Sequence, residues 1–222
     1  INNAICLNFK NMKKVFFSLI IIFSINSQAI SHVEHYAEFN YLEYELFRNN
    51  KSIGYHKYNF KRNGSNLIID NEVEFKITKL GIDLYKYYAK GVEKYENGIF
   101  SGFNSETNQN KKEKFVKITI DPTDKDLIID GSSFKGKVDK DMIIGTWWNH
   151  EIVSKKAQIS AVSGRIIEQK VEFLGKEEVK IGDKTYKTLK FNFSSSDPSL
   201  SKDKKLNTDI WYEEDTFLWV KA

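Results

Sequence analysis

From Glu38 onward the chain alternates apolar and charged positions with a period of two. The clearest runs are Glu72-Val73-Glu74-Phe75-Lys76-Ile77 and Lys187-Thr188-Leu189-Lys190-Phe191-Asn192-Phe193. Successive side chains of a strand point to opposite faces, so alternation of this kind marks strands with one face toward a core and one toward water. Turn signals separate the runs: Asn49-Asn50-Lys51, Asn63-Gly64, Lys79-Leu80-Gly81, Asn97-Gly98, Asp130-Gly131-Ser132 and Ile181-Gly182-Asp183. Asn-Gly pairs supply the positive φ that tight hairpins need. The pattern predicts strands over 38–48, 52–62, 66–78, 82–95, 99–107, 113–120, 125–130, 165–174, 176–181, 185–195 and 207–213. Pro122 and Pro198 fall between the runs, where a missing amide donor does no harm.

One stretch, Asp139 to Ala157, breaks the period. It contains Trp147-Trp148-Asn149-His150-Glu151-Ile152-Val153 and predicts a short helix or loop around 139–157. Long half-apolar strands must cover their apolar face, and this brief segment is too little to do so alone. A mainly β fold follows: a single strongly curved antiparallel sheet, a half-barrel or open barrel with meander connections, plugged by the 139–157 segment. Aromatic residues form 14% of the chain, enough either to fill such an interior or to line a ligand cavity.

The first thirty residues are of another kind. Met12-Lys13-Lys14 leads into the apolar run Val15 to Ile25, 11 residues long, and then Asn26-Ser27-Gln28-Ala29. A cationic start, a short apolar run and a small-x-small site describe a secretory signal peptide cleaved after Ala29. The run falls short of the about 20 residues that a membrane-spanning helix needs, and no later segment approaches that length. The sequence therefore divides into an upstream segment, 1–11, a helical signal peptide, 12–29, a flexible N-terminus, 30–37, and a single β domain, 38–222. Export to the periplasm or the exterior is expected, with no integral membrane span after cleavage.

Removing the leader changes the chemistry available. Cys6 is the sole cysteine and precedes Met12, so thiol catalysis, a disulfide and a lipid-anchoring cysteine are excluded from the exported chain. Lys10, Lys13 and Lys14 also precede Ile30, leaving 31 Lys and Arg against 30 Asp and Glu. A nucleic-acid partner, which needs a clustered basic face, is not expected.

Several segments in order resemble an exported family of bacterial proteins defined as a domain of unknown function. They are Tyr44 to His56 with its Ile53-Gly54-Tyr55-His56, Leu84-Tyr85-Lys86-Tyr87-Tyr88 running to Glu93 and Glu96-Asn97-Gly98, Trp147-Trp148-Asn149 with Val162-Ser163-Gly164-Arg165, and Thr208-Asp209-Ile210-Trp211-Tyr212 with Leu218-Trp219-Val220. In that family a further strand usually follows the last one, so the resemblance implies a domain truncated at its C-terminus. It also implies a relation to the curved half-barrels of lipoprotein carriers and periplasmic lipid-binding proteins, and it assigns no activity.

Candidate chemistry is sparse. His56 occupies the family's His position and is the best single imidazole, with Glu93 the acid that the motifs place nearest and His150 a second imidazole. These three are the catalytic candidates, each weighed against a hydrogen-bonding role in the framework, because general acid–base catalysis depends first on geometry. Tyr55, His56, Tyr87, Trp147, Trp148, Asn149 and Trp211 are the candidate ligand-binding residues, against simple packing of their rings. His32 and His35 read as a frayed terminus rather than a metal site. Asp121, Asp124 and Asp126 lack the Gly and Glu of a calcium loop and read as a solvated turn. No nucleophile elbow, phosphate loop or zinc motif is present in the sequence. The reading is thus an envelope protein that binds an apolar or amphipathic, lipid-like ligand without catalysis, with no metal and no cofactor. Two alternatives stay open: an envelope enzyme using His56, Glu93 and His150, and a structural or interaction protein with a filled core. Oligomeric state is left open.

Overall fold

In a computed structural model the alternating runs pair in sequence order. It describes residues 36–202 and 204–222; the predicted signal helix, with His32 and His35, lies outside the described residues. Strands β1 (Tyr41–Arg48), β2 (Lys51–Asn63), β3 (Asn66–Lys79), β4 (Ile82–Glu96), β5 (Ile99–Gln109), β6 (Lys112–Ile120), β7 (Leu127–Gly131) and β8 (Lys135–Val138) form an eight-stranded antiparallel meander. Strands β9 (Ile143–Ile144), β10 (Ala157–Ile159), β11 (Ile166–Ile181), β12 (Lys184–Ser195), β13 (Asn207–Glu213) and β14 (Trp219–Lys221) form a second sheet in the order β14-β13-β12-β11-β10-β9. Every pairing is antiparallel except that of β9 with β10.

The mainly β, curled half-barrel expected from the sequence is present. Its ladder, however, runs in two hydrogen-bonded sheets instead of one, because the irregular segment after β8 interrupts the meander. That segment holds β9 and a 3-10 helix, His150–Ser154, capped by the Asn149 side chain, which accepts from the Glu151 amide at 3.1 Å. The two strands predicted at 165–174 and 176–181 are one strand, β11, with an irregularity between Phe173 and Gly175. Gly175 takes φ 116° there, a value that favours glycine.

The sheets face each other over a shared aromatic core. Tyr36, Tyr58, Phe60, Ile69, Phe193, Ile210 and Tyr212 are buried together with Trp148 and Ile152 of the irregular segment. A second cluster joins Phe103, Val116, Ile118, Leu127 and Ile129 of the first sheet to Ile144 and Ile159 of the second. Burying large aliphatic and aromatic side chains contributes about 1.5–3 kcal/mol each, and these clusters hold the two layers together. Tyr44 of β1 closes the curl by donating its hydroxyl to the Trp219 carbonyl of β14 at 2.8 Å.

In a meander the hairpin turns alternate between two ends. Turns β2–β3, β4–β5 and β6–β7 lie at the end filled by the core; turns β1–β2, β3–β4 and β5–β6 lie at the other. Ladder pairing extends to Gly54 opposite Phe75, and Phe75 opposite Tyr87, on the way to that second end. β2 approaches β3 very closely there: a Cβ on Gly54 would sit 1.9 Å from the Glu74 carbonyl oxygen. A side chain at position 54 would force the strands apart.

Candidate functional site

The irregular segment fastens into the first sheet through one buried carboxylate. Glu93 of β4 is 2% exposed. It accepts from the Tyr95 hydroxyl at 2.5 Å, from Trp148 Nε1 at 3.0 Å and, at the long limit, from Thr146 Oγ1 at 3.5 Å. Burial pushes its pKa up, and these three donors work against that rise. Trp148 is fully buried, with the rings of Tyr36, Phe60 and Tyr95 set edge-on around it at 5.6, 6.0 and 5.9 Å. The plug is therefore a tryptophan nailed to a carboxylate, and Glu93 is committed to that role.

Beyond the plug the concave face of the first sheet is only half covered. His56, Val73, Phe75 and Tyr87 lie there, with Phe75 stacked on Tyr87 at 4.9 Å. Between this floor and the plug is a small cavity of about 130 Å³, lined in part by His56, Tyr87, Ser105, Thr107 and Trp147. The His56 ring lies 4.5 Å from Tyr58, 5.6 Å from Trp219 and 6.4 Å from Tyr44. Aromatic burial lowers its pKa from 6.5 to about 4, so the ring is neutral at pH 7 and offers one donor and one acceptor.

A much larger cleft, about 930 Å³, opens where the curl nearly closes on itself. One wall is Leu42, Tyr44, Leu46 and Phe47 of β1, with Ile53 and Phe75; the other is Val179 to Gly182, Tyr186 and Leu218 to Ala222. Charge is confined to Glu43, Glu45, Lys180 and Lys221 among these residues. Phe75 belongs to the cleft wall and stacks on Tyr87, which belongs to the small cavity, so the two spaces share a floor.

Of the candidates from the sequence, the fold gathers His56, Tyr87 and Trp147 around the small cavity. Tyr55, adjacent to His56 on the strand, points to the opposite face, where its hydroxyl donates to Glu72 at 2.6 Å and Glu74 at 3.0 Å. Trp148 is in the core and Asn149 caps the 3-10 helix. Trp211 does not line the cleft itself but is buried directly behind two residues that do, Val179 and Val220, with its Nε1 bonded to Glu177. Among the catalytic candidates, no hydrogen bond joins His56 to Glu93 within the described residues. His150 is buried and stacks on Phe217 at 4.7 Å. Asp121 and Asp124 both pair with Lys137, as suits a solvated turn.

Sequence reasoning did not single out Leu46, Ile53, Phe75, Val179 or Tyr186 as ligand-facing. The signal was present in the alternation, which puts Tyr44 and Leu46 on one face of β1, but nothing in it says which distant strand stands opposite.

The fold and site define a curled, mainly β domain with a plugged core and an open aromatic-walled cleft. The chain belongs to a family described as a domain of unknown function (DUF6134), which matches residues 44–222. Comparison with curated proteins and with solved structures returned no match. Among the described residues no helix is long and apolar enough to cross a membrane.

Proposed function

We propose that this is an exported envelope protein that holds an apolar or amphipathic, lipid-like ligand in the cleft between β1 and β14 without transforming it. The observation that carries the reading is the cleft itself. Its volume of about 930 Å³ lies within the roughly 300–1,000 Å³ usual for ligand pockets, and its deep walls are aliphatic and aromatic. An acyl chain or other apolar body fits against Leu46, Ile53, Phe75 and Val179. A polar end remains near the charged side chains Lys180, Lys221, Glu43 and Glu45. The relation to lipid-binding half-barrels implied by the sequence motifs agrees with this use of the fold, and the signal-peptide pattern over 12–29 supports action in the periplasm or outside the cell. Against catalysis, the acid that the motifs place nearest His56 is held by Tyr95, Trp148 and Thr146, and the two imidazoles stand in separate surroundings.

Native mass spectrometry of the protein purified from an envelope fraction tests the reading. The expected result is a population carrying lipid-sized adducts that are stripped by raised collision energy and lost in Ile53→Glu, which puts a charge on the wall. Adduct-free protein under gentle conditions, or adducts indifferent to Ile53→Glu, would contradict it.

A further inference from the structure

The β3–β4 hairpin loses its ladder partners on both sides before its tip, although β2 itself runs on to Lys51 in its pairing with β1. Ladder pairing with β2 ends at Gly54 opposite Phe75, and pairing with β5 ends at Tyr87 opposite Gln109. The ladder bonds of residues 76–85 therefore run within the hairpin alone. Its tip, at the end opposite the core, is paired to no strand outside the hairpin.

That tip is apolar and uncovered. Leu80 is 93% exposed, Ile82 66% and Leu84 54%. Leu80 takes φ 51° and Gly81 φ 78°, a left-handed pair that Asn and Gly fill readily and a bulky apolar residue does not. Elsewhere asparagine fills such positions at Asn49, Asn50, Asn97 and Asn110; Lys111, Lys125 and Phe217 also take positive φ, but Phe217 packs against the core whereas Leu80 is exposed. Leucine at position 80 is disfavoured by its backbone and by its exposure, so folding does not account for it.

The surroundings are cationic. The turns at this end of the molecule, residues 47–52, 76–86, 109–114 and 180–184, hold ten Lys or Arg against three acids, and one of those acids, Asp83, is paired with Lys86 at 2.8 Å. The 180–184 turn belongs here because it shares the cleft with Phe47. The opposite turns of the eight-stranded sheet, 62–66, 94–99 and 121–127, hold three cations against four acids. Positive charge is thus collected around the apolar tip.

We propose that the β3–β4 hairpin is a membrane-docking finger: Leu80, Ile82 and Leu84 enter the headgroup boundary of a bilayer bearing anionic lipid, and the lysines around them face its phosphates. Three projecting apolar residues make too small a patch for a protein interface, which buries about 800 Å² per partner. Insertion into a lipid surface works residue by residue and is reinforced by each neighbouring cation. The inference goes beyond ligand binding and stands without it, since it uses no residue of the cleft's apolar wall. If both hold, the finger presents the cleft mouth to the lipid surface.

The test uses the chain from Ile30, as export would leave it and free of any native cysteine, with a single cysteine introduced as Leu84→Cys or, at the opposite end, Ser65→Cys, and an environment-sensitive fluorophore on it. Vesicles of phosphatidylcholine with phosphatidylglycerol should blue-shift the probe at position 84 and leave that at 65 unchanged. Leu80→Asn, which suits the turn better, should lower the vesicle partition coefficient roughly tenfold without loss of folding. Lys76→Glu with Lys79→Glu should remove the preference for anionic vesicles. Equal responses at 84 and 65, no response at either, or a Leu80→Asn protein that partitions like the parent would overturn the proposal. So would a finger that engages a purified protein partner while remaining indifferent to vesicles.

Discussion

Glu93 shows how a residue selected by its motif serves a different purpose from the one its chemistry suggests. A buried carboxylate with three donors is a fastener, and truncating it strands the Tyr95 hydroxyl and the Trp148 indole. Glu93→Ala should therefore cost about 3 kcal/mol or more in urea unfolding. Burial raises its pKa above 4.5, so the folded chain holds this proton more tightly than the unfolded one, and its contribution to stability declines as pH rises through and above the carboxylate range. Glu93→Gln keeps an acceptor and removes the titration; its stability relative to the parent should improve as pH rises through and above the carboxylate range. His56 carries the opposite sign. Its folded pKa of about 4 lies below the ordinary 6.5, so its contribution is complete above 6.5 and lost as pH falls toward 4. The parent should lose on the order of 2 kcal/mol more than His56→Gln across that window. Both residues were legible in the sequence by type and motif. Their separation was not, because strand register, and not proximity in a motif, decides what each side chain meets.

Among the elements, the long hairpins were readable because alternation and Asn-Gly or Gly turns both mark them. The two-to-four-residue strands β8, β9 and β10 were not, since so few residues carry no detectable period and their pairing is set by tertiary contact. Trp147-Trp148-Asn149 was readable as a plug, while the division of labour within it was not: one indole binds Glu93, the other borders a cavity. Gly54 illustrates a constraint that only the paired strand reveals. With 1.9 Å available between a new Cβ and the Glu74 carbonyl, Gly54→Ala should separate β2 from β3 and cost about 3 kcal/mol. A lowered midpoint in thermal unfolding, with hydrogen-exchange protection lost first in β2 and β3, is the expected outcome; an unchanged midpoint would show that the strands can part there freely.

For the whole molecule, curvature was legible and enclosure was not. Many half-apolar strands with one short helical segment require a sheet that curls over itself, and it does. The cleft, by contrast, is made by β1 and β2 meeting β11 and β14, more than a hundred residues apart, and no local pattern records which walls face one another. Export is a claim at this scale too: N-terminal sequencing of protein recovered from a Gram-negative periplasm should begin at Ile30, and recovery of an uncleaved leader would contradict it. The central claim concerns the cleft, and the most direct measurement is photocrosslinking with an acyl chain bearing a diazirine at mid-chain, followed by peptide mass mapping. Ligand binding in the cleft predicts labels concentrated on Leu46, Ile53, Phe75, Val179 and Tyr186, competed by unlabelled lipid. Labels scattered over the outer faces, or confined to the Leu80 finger with the cleft walls unmarked, would contradict it.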